Sequence, residues 1–286
     1  MDSVRISWSA LRNYKDCKQR AKLIRTGKRA KLEDQRNFLP GNITDRVVRD
    51  WLKDEAREAG QMPDMVSDYL KKQIEDAKGQ IKWKGTKEAD QKQIEKDCIE
   101  AVTKIEPALL KFVTPFQHWA DYKFEAPMHA ARNGDLTGEA PIHVTLNGFM
   151  DILVHDEKND RWFVFDVKHT RDGQYYKKTA GQLAFYGLAV ELIHGSPLAG
   201  AALFQPLVEK TPVKPLSVAR STVTDLALDI TRMANDIVAD EMPPRDDMTM
   251  CNWCSVQHAC EKFKTTTDEK GRRRIPLSRP AVNLLD

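Results

Sequence analysis

Two aspartates and a lysine carry the first chemical signal in this chain. Asp151 lies in G-F-M-D-I-L-V (148–154), and Asp166 and Lys168 lie in F-V-F-D-V-K (163–168), each inside a run that reads as a β-strand. Side chains two apart on a strand share a face, so Asp166 and Lys168 point the same way. Further on, Gln182 and Tyr186 in G-Q-L-A-F-Y are four apart on a predicted helix and also share a face. Two carboxylates beside an ammonium group suit metal-dependent phosphodiester hydrolysis. That reaction needs an activated water, stabilised phosphoryl charge and a helped leaving group, and one or two divalent ions supply all three. Mg²⁺ or Mn²⁺ would take oxygen ligands from Asp151, Asp166 and the backbone carbonyl of Val167. Lys168 would orient water or offset phosphate charge. Gln182 and Tyr186 would hold the substrate backbone or bound waters. A lone D-x-K is unspecific; the ordered set is not. The bland alternative is a strand salt bridge with a surface glutamine and a core tyrosine.

A second cluster is made of cysteines. Of five, Cys251, Cys254 and Cys260 form C-x2-C-x5-C, with Cys17 and Cys98 far away in sequence. An odd count argues against a disulfide framework, and the close spacing looks like metal ligation. Cys₄ sites accept zinc or an iron–sulfur cluster, so ligand type alone does not choose.

The elements that must position these groups follow from periodicity. Ser7 or Ser9 caps a helix carrying Leu11, Tyr14, Cys17, Ala21 and Ile24 inward. Arg12, Lys15, Lys18, Lys22 and Arg25 lie off that stripe, and Arg12, Lys15 and Lys22 are candidate nucleic-acid contacts. After the breaker Leu39-Pro40-Gly41-Asn42, a helix is expected from Ile43 or Thr44 to about Glu58, with Asp45, Val48 and Leu52 on one face. Asp45 is either a helix-start acid or an inward ligand for the metal. Residues 60–120 read as a helical insertion with Cys98 in its core, and 121–210 as the site-bearing core. Tyr122–Met128, Ile142–His155, Arg161–Lys168 and Ala199–Val208 read as strands, and Tyr175–His194 and Thr222–Asp240 as helices. Arg161–Lys168 is apolar on both faces, the mark of a strand covered on both sides.

The chain has 286 residues and net charge +3, enough for a sizeable core. Residues 1–40 hold eleven Lys/Arg against four Asp/Glu, and the segment from Lys264 six against three, which suggests an anionic partner at the ends. No apolar run reaches membrane-span length, and the start lacks a secretory pattern; a cytoplasmic protein without membrane contact is expected.

Gly148-x-x-Asp151, Asp166-Val167-Lys168, Gln182-x-x-x-Tyr186, the start Ser7-x-Ser9-x-Leu11-x-x-Tyr14-x-x-Cys17 and the cysteine-rich end together resemble RecB-type nucleases of the PD-(D/E)xK superfamily. The likeness is to their iron–sulfur branch, which includes AddB-type nuclease domains and CRISPR-associated RecB-like exonucleases. It implies an α/β restriction-endonuclease-like fold, a central mixed sheet flanked by helices, with a helical insertion. It also implies a [4Fe–4S] cluster on Cys17, Cys251, Cys254 and Cys260 that staples the two ends of a single nuclease domain (1–263), with a cluster-binding segment at 250–263. A flexible basic tail (264–286) would follow. Zn²⁺ is the alternative occupant. The activity implied is Mg²⁺- or Mn²⁺-dependent cleavage of DNA, exonucleolytic on single strands or duplex ends, alongside a helicase, recombinase or other DNA-processing partner. An inactive nucleic-acid-binding adaptor of the same fold is the rival reading, and an enzyme acting on RNA a weaker one. Two positions depart from the pattern. The histidine of the family's G-x-x-x-H is Asp45 here, after Gly41, and Lys18 replaces a common proline after Cys17.

Overall fold

A computed structural model describes the chain except residues 1, 29–34, 78, 80, 134–139, 211, 248–250, 252–253 and 267–286. The expected basic tail thus lies, beyond Thr266, outside the described residues. Two compact units are present, Met1–Trp8 with Leu32–Asn235, and Ser9–Lys31 with Asp236–Asp286.

The spine of the first unit is strand β3 (Ile142–Asp156). Strand β2 (Gln117–Ala130) runs antiparallel along one whole edge of it. The other edge is shared. Strand β1 (Ser3–Ile6) lies parallel to His143–Leu146, and β4 (Arg161–Val167) lies antiparallel to Ile152–Asp156. Strand β5 (Leu198–Phe204) continues parallel to β4, and β6 (Val213–Leu216) closes the sheet antiparallel to β5. The sheet is mixed, as expected.

Both faces are covered because β4 and its neighbours are apolar on both. Phe163, Phe165, Val167, Ile152, Val154 and Phe204 meet helices α3 (Leu39–Lys53), α4 (Met62–Asp76) and α5 (Lys87–Phe112) in one continuous core. Trp51, Met62, Ile94, Cys98 and Leu109 are sealed within it. Each such side chain contributes about 1.5–3 kcal/mol by leaving water. The segment expected as an insertion therefore forms one layer of the core. On the opposite face lies α6 (Tyr176–His194), where Phe185 packs 6.2 Å from Phe124. Helix α6 stops at Gly195, whose φ of +73° suits the left-handed cap of the expected Gly-Ser-Pro signal. Helix α7 (Arg220–Val238) follows β6, and its Asn235 donates to Ala131 O and accepts from Asn133 N.

Several sequence expectations are corrected. The first predicted helix is two, α1 (Trp8–Asp16) and α2 (Lys18–Arg25), with Cys17 between them in extended backbone. The break shifts the buried face by one residue, so Leu23 is buried and Ile24 is 38% exposed. Helix α3 begins at Leu39, four residues before the expected start. Pro40 belongs to its first turn, where a missing N–H costs nothing. Strands β1 and β6, four residues each, carry too little alternation to be read. Helix α8 (Glu261–Thr266) starts in the expected cluster-binding segment and runs three residues into the expected tail.

Asp90 is nearly sealed, at 5% exposure, yet charged. It accepts from Arg36 Nε (2.8 Å) and Nη2 (2.5 Å) and from the Lys84 amide (2.8 Å). The Arg36 bonds prevail over burial and hold its carboxyl at about 2. That value lies below the roughly 3.9 of an unfolded chain, so this contribution is present above about pH 4 and fades as pH falls towards 2. Urea unfolding across that range should show Asp90→Asn with a flatter acid limb, and with about 3–5 kcal/mol less stability at neutral pH.

Trp8 packs 6.2 Å from Phe185, and a Cβ at Gly181 would stand 2.5 Å from its Cη2 atom. Gly181→Ala should therefore lose about 1–3 kcal/mol to overpacking against about 1 kcal/mol of helix gain. Adding Trp8→Ala should remove that loss in a double-mutant cycle of denaturation midpoints.

Candidate active site

Asp151 has no paired residue on either edge of β3. On one side β1 ends opposite Leu146, and the ladder with β4 starts only at Ile152, opposite Phe165. On the other, pairing with β2 skips from Ala120 to Tyr122, and the intervening Asp121 takes φ +57°. Asp151 Oδ2 accepts from Val167 N at 2.8 Å, which ties it to the end of β4. Two positions of one sequence motif are thus joined by a direct hydrogen bond.

Asp166 is fully buried, and neither carboxylate oxygen has a conventional hydrogen-bond partner among the described residues. Lys168 Nζ stands 2.7 Å from Asp166 Oδ2 as an ion pair, 3.9 Å from Asp151 Oδ2 and 3.3 Å from the Val167 carbonyl. Burial, and then the neighbouring Asp151 charge, push the Asp166 carboxyl upward. Burial alone would lower the Lys168 amine, but Asp166 and Asp151 outweigh it and raise it. The ammonium ion thus faces three oxygens, from Asp166, Asp151 and the Val167 carbonyl.

Asp45 comes from α3 and lies 3.8 Å from Arg49. Its carboxyl is raised by partial desolvation and then by Asp151, with Arg49 and Lys168 opposing. Asp121 faces the same arginine at 3.6 Å. Gln182 Nε2 donates to the Tyr186 hydroxyl at 2.6 Å. Tyr186 is buried, and burial followed by Asp151 and Asp166 raises its hydroxyl, so it stays a neutral O–H. The fold thus places Asp45, Asp151, Asp166, Val167, Lys168, Gln182 and Tyr186 in one electrostatically connected region. A groove of about 650 Å³ opens over Asp45, Asp151, Val167 and Lys168, lined also by Phe38, His169 and Arg171.

Sequence reasoning missed Asp121, Thr44 and His169. Thr44 is fully buried, and its Oγ1 lies 2.9 Å from His169 Nδ1. Burial lowers the His169 imidazole, leaving it neutral. A polar residue inside the apolar stripe Ile43, Val47, Val48 was the available signal for Thr44. No local pattern marks Asp121.

In the second unit, Cys17, Cys251, Cys254 and Cys260 line one small cavity of about 40 Å³. Successive tight turns bring three of them together: Cys254 N donates to Cys251 O at 3.1 Å, and Cys260 N to Gln257 O at 3.1 Å. Arg20 and Arg245 share the lining, cations suited to offset thiolate charge. Among the described residues, no three His, Cys, Asp or Glu side chains stand as a group that could hold a metal ion. Of the basic candidates, Arg12 and Lys15 are exposed. Lys22 is partly neutralised by Asp240 at 2.8 Å, as Lys18 is by Asp236 at 2.5 Å. No described helix is long and apolar enough to cross a membrane.

Among solved structures, the chain is similar to the crystal structure of SSO0001, at 14% identity and a TM-score of 0.35, over 68% of this chain and 96% of that one. No curated protein matches the sequence. The model of the PD-(D/E)XK nuclease superfamily matches residues 5–261, taking in the acidic nest, its lysine and all the cysteines; the chain belongs to the PD-(D/E)XK nuclease superfamily.

Proposed function

We infer that this chain is a metal-dependent DNA nuclease, acting as an exonuclease on single-stranded or end-bearing DNA. The observation that carries the reading is the Lys168 ammonium, set against Asp166 Oδ2, Asp151 Oδ2 and the Val167 carbonyl. These are oxygens of the kind a hard divalent cation takes, and buried Asp166 Oδ1, without a hydrogen-bond partner among the described residues, adds to the fit. Asp151, Asp166, the Val167 carbonyl and Asp45 would hold Mg²⁺ or Mn²⁺. Such an ion supplies Lewis-acid activation of water and neutralises charge on the phosphate. The chain's own groups do the rest. Lys168 yields the nest and turns its charge to the phosphate, while Gln182 and the neutral Tyr186 hydroxyl orient oxygen atoms beside it. Asp45 stands where relatives have histidine, which makes the ligand set all-oxygen and favours hard cations.

We further propose a [4Fe–4S] cluster on Cys17, Cys251, Cys254 and Cys260, by the resemblance to the iron–sulfur branch of RecB-type nucleases; these four cysteines line one cavity. Zn²⁺ is the less favoured occupant. The role is structural, closing a loop of more than two hundred residues, on the order of 4–5 kcal/mol by chain entropy. Work beside a helicase, recombinase or other DNA-processing protein fits an end-directed nuclease.

Purified protein with Mn²⁺ should degrade linear single-stranded DNA, and Lys168→Ala and Asp166→Asn should each lower kcat at least about 100-fold while remaining folded. Wild-type protein that binds DNA but leaves it intact would instead identify an adaptor.

Anaerobically purified protein should be brown, with iron and acid-labile sulfide in about equal amounts. Cys17→Ser should lose both and melt earlier. Stoichiometric zinc without sulfide would overturn the cluster.

A further inference from the structure

The groove over the acidic nest has one wall that its chemistry does not use. Helix α3 buries Leu39, Ile43, Val47 and Trp51 on its core side. Phe38 closes a 3₁₀ turn (Gln35–Phe38), and its αR backbone leads directly into the helix. Residues 38, 42, 45 and 49 then fall on one face at helical spacing, which presents Phe38, Asn42, Asp45 and Arg49 as a row. Phe38 is 50% exposed, although Leu39 beside it is 2% exposed. Single exposed apolar residues are ordinary on protein surfaces. This one lines the same groove as Asp45, Asp151 and Lys168, together with the Asn37 and Asn42 amides and Arg171. Seven residues of helix set its Cα about 10 Å along the axis from that of Asp45. That distance is roughly three stacked nucleotide rises of about 3.4 Å, and fewer if the strand is stretched.

The geometry points to Phe38 as a stacking platform for one unpaired base, one to three nucleotides from the scissile phosphate. It is a specificity-determining residue that favours single-stranded DNA. A base within a duplex has both faces covered by its neighbours, so a ring on a groove wall can stack only on a base that is unpaired. Stacking tolerates any sequence, since every base has a π-face. The inference rests on the nuclease reading of the groove, because the phosphate must lie over the nest for the spacing to hold.

The test is an equilibrium one, made in EDTA so that nothing is cleaved. Affinities of the full chain and of Phe38→Ala and Phe38→Trp are measured for a single-stranded oligonucleotide and for a blunt hairpin duplex. A set of single strands with one abasic position moved along the three terminal nucleotides completes the series. Phe38→Ala should weaken single-strand binding about five- to a hundredfold, leave the duplex unchanged, and keep the wild-type melting temperature. Phe38→Trp should bind at least as well as wild type. At one abasic position the difference between wild type and Phe38→Ala should vanish. Unchanged single-strand affinity in Phe38→Ala, equal loss on both substrates, or no abasic position that removes the difference would each overturn the proposal. Absence of Mn²⁺-dependent cleavage strikes the nuclease reading alone, because the abasic comparison does not depend on turnover.

Discussion

The burial of Asp166 beside Lys168 is the constraint to which the rest of the first unit answers. Removing a carboxylate from water costs several kcal/mol even after relaxation. Here a single ammonium offsets it, without conventional hydrogen bonds to the carboxylate. An apolar pair of similar volume would be more stable in the same place. The pair persists because its surroundings leave it nowhere to go. Strand β4 is laddered to β3 and β5, Lys168 N donates to Phe204 O at 2.8 Å, and Val167 N is held by Asp151. Helices cover both faces of the sheet.

What could be read from the sequence is what short-range periodicity controls. The two-sided apolar pattern of β4 placed Asp166 and Lys168 at the end of a covered strand, and the structure has them there. The Gly-Ser-Pro signal after His194 ended α6 at the right residue. Asp45, read either as a helix-start acid or as a ligand, lines the same groove as Asp151 and Lys168. What escaped depends on partners far along the chain. Strand β1 has four residues, and only pairing with β3 makes it a strand. Asp121 enters the region because β2 kinks opposite Asp151. His169 is placed in part by Thr44, 125 residues before it. Cys17 shows the converse, a local break that periodicity concealed, since Leu11, Tyr14 and Ala21 remain in step across it while Ile24 does not.

The two arrangements of acid and base in the first unit obey different rules. Asp90 and Arg36 form a closed pair in which both carboxylate oxygens accept hydrogen bonds and the carboxyl is driven down. Asp166 and Lys168 form an open pair in which Asp166 Oδ1 remains unmatched among the described residues and the carboxyl is driven up. The first joins the start of α5 to the turn before α3. The second leaves capacity for a ligand. Similar residue types thus serve rigidity in one place and chemistry in the other, and the difference lies in the number of donors supplied.

The shared edge of β3 also has a consequence for the order of events during synthesis. Strand β1 carries buried Val4 and Ile6, yet its partner residues begin at His143, about 140 residues later. At the usual roughly 5–20 residues per second, that strand waits on the order of ten seconds on the ribosome without the edge it belongs to. Over that interval its two apolar side chains and unpaired amides offer themselves to whatever else is near, a chaperone included. The gap in which Asp151 stands gains its second boundary only when β1 joins β3.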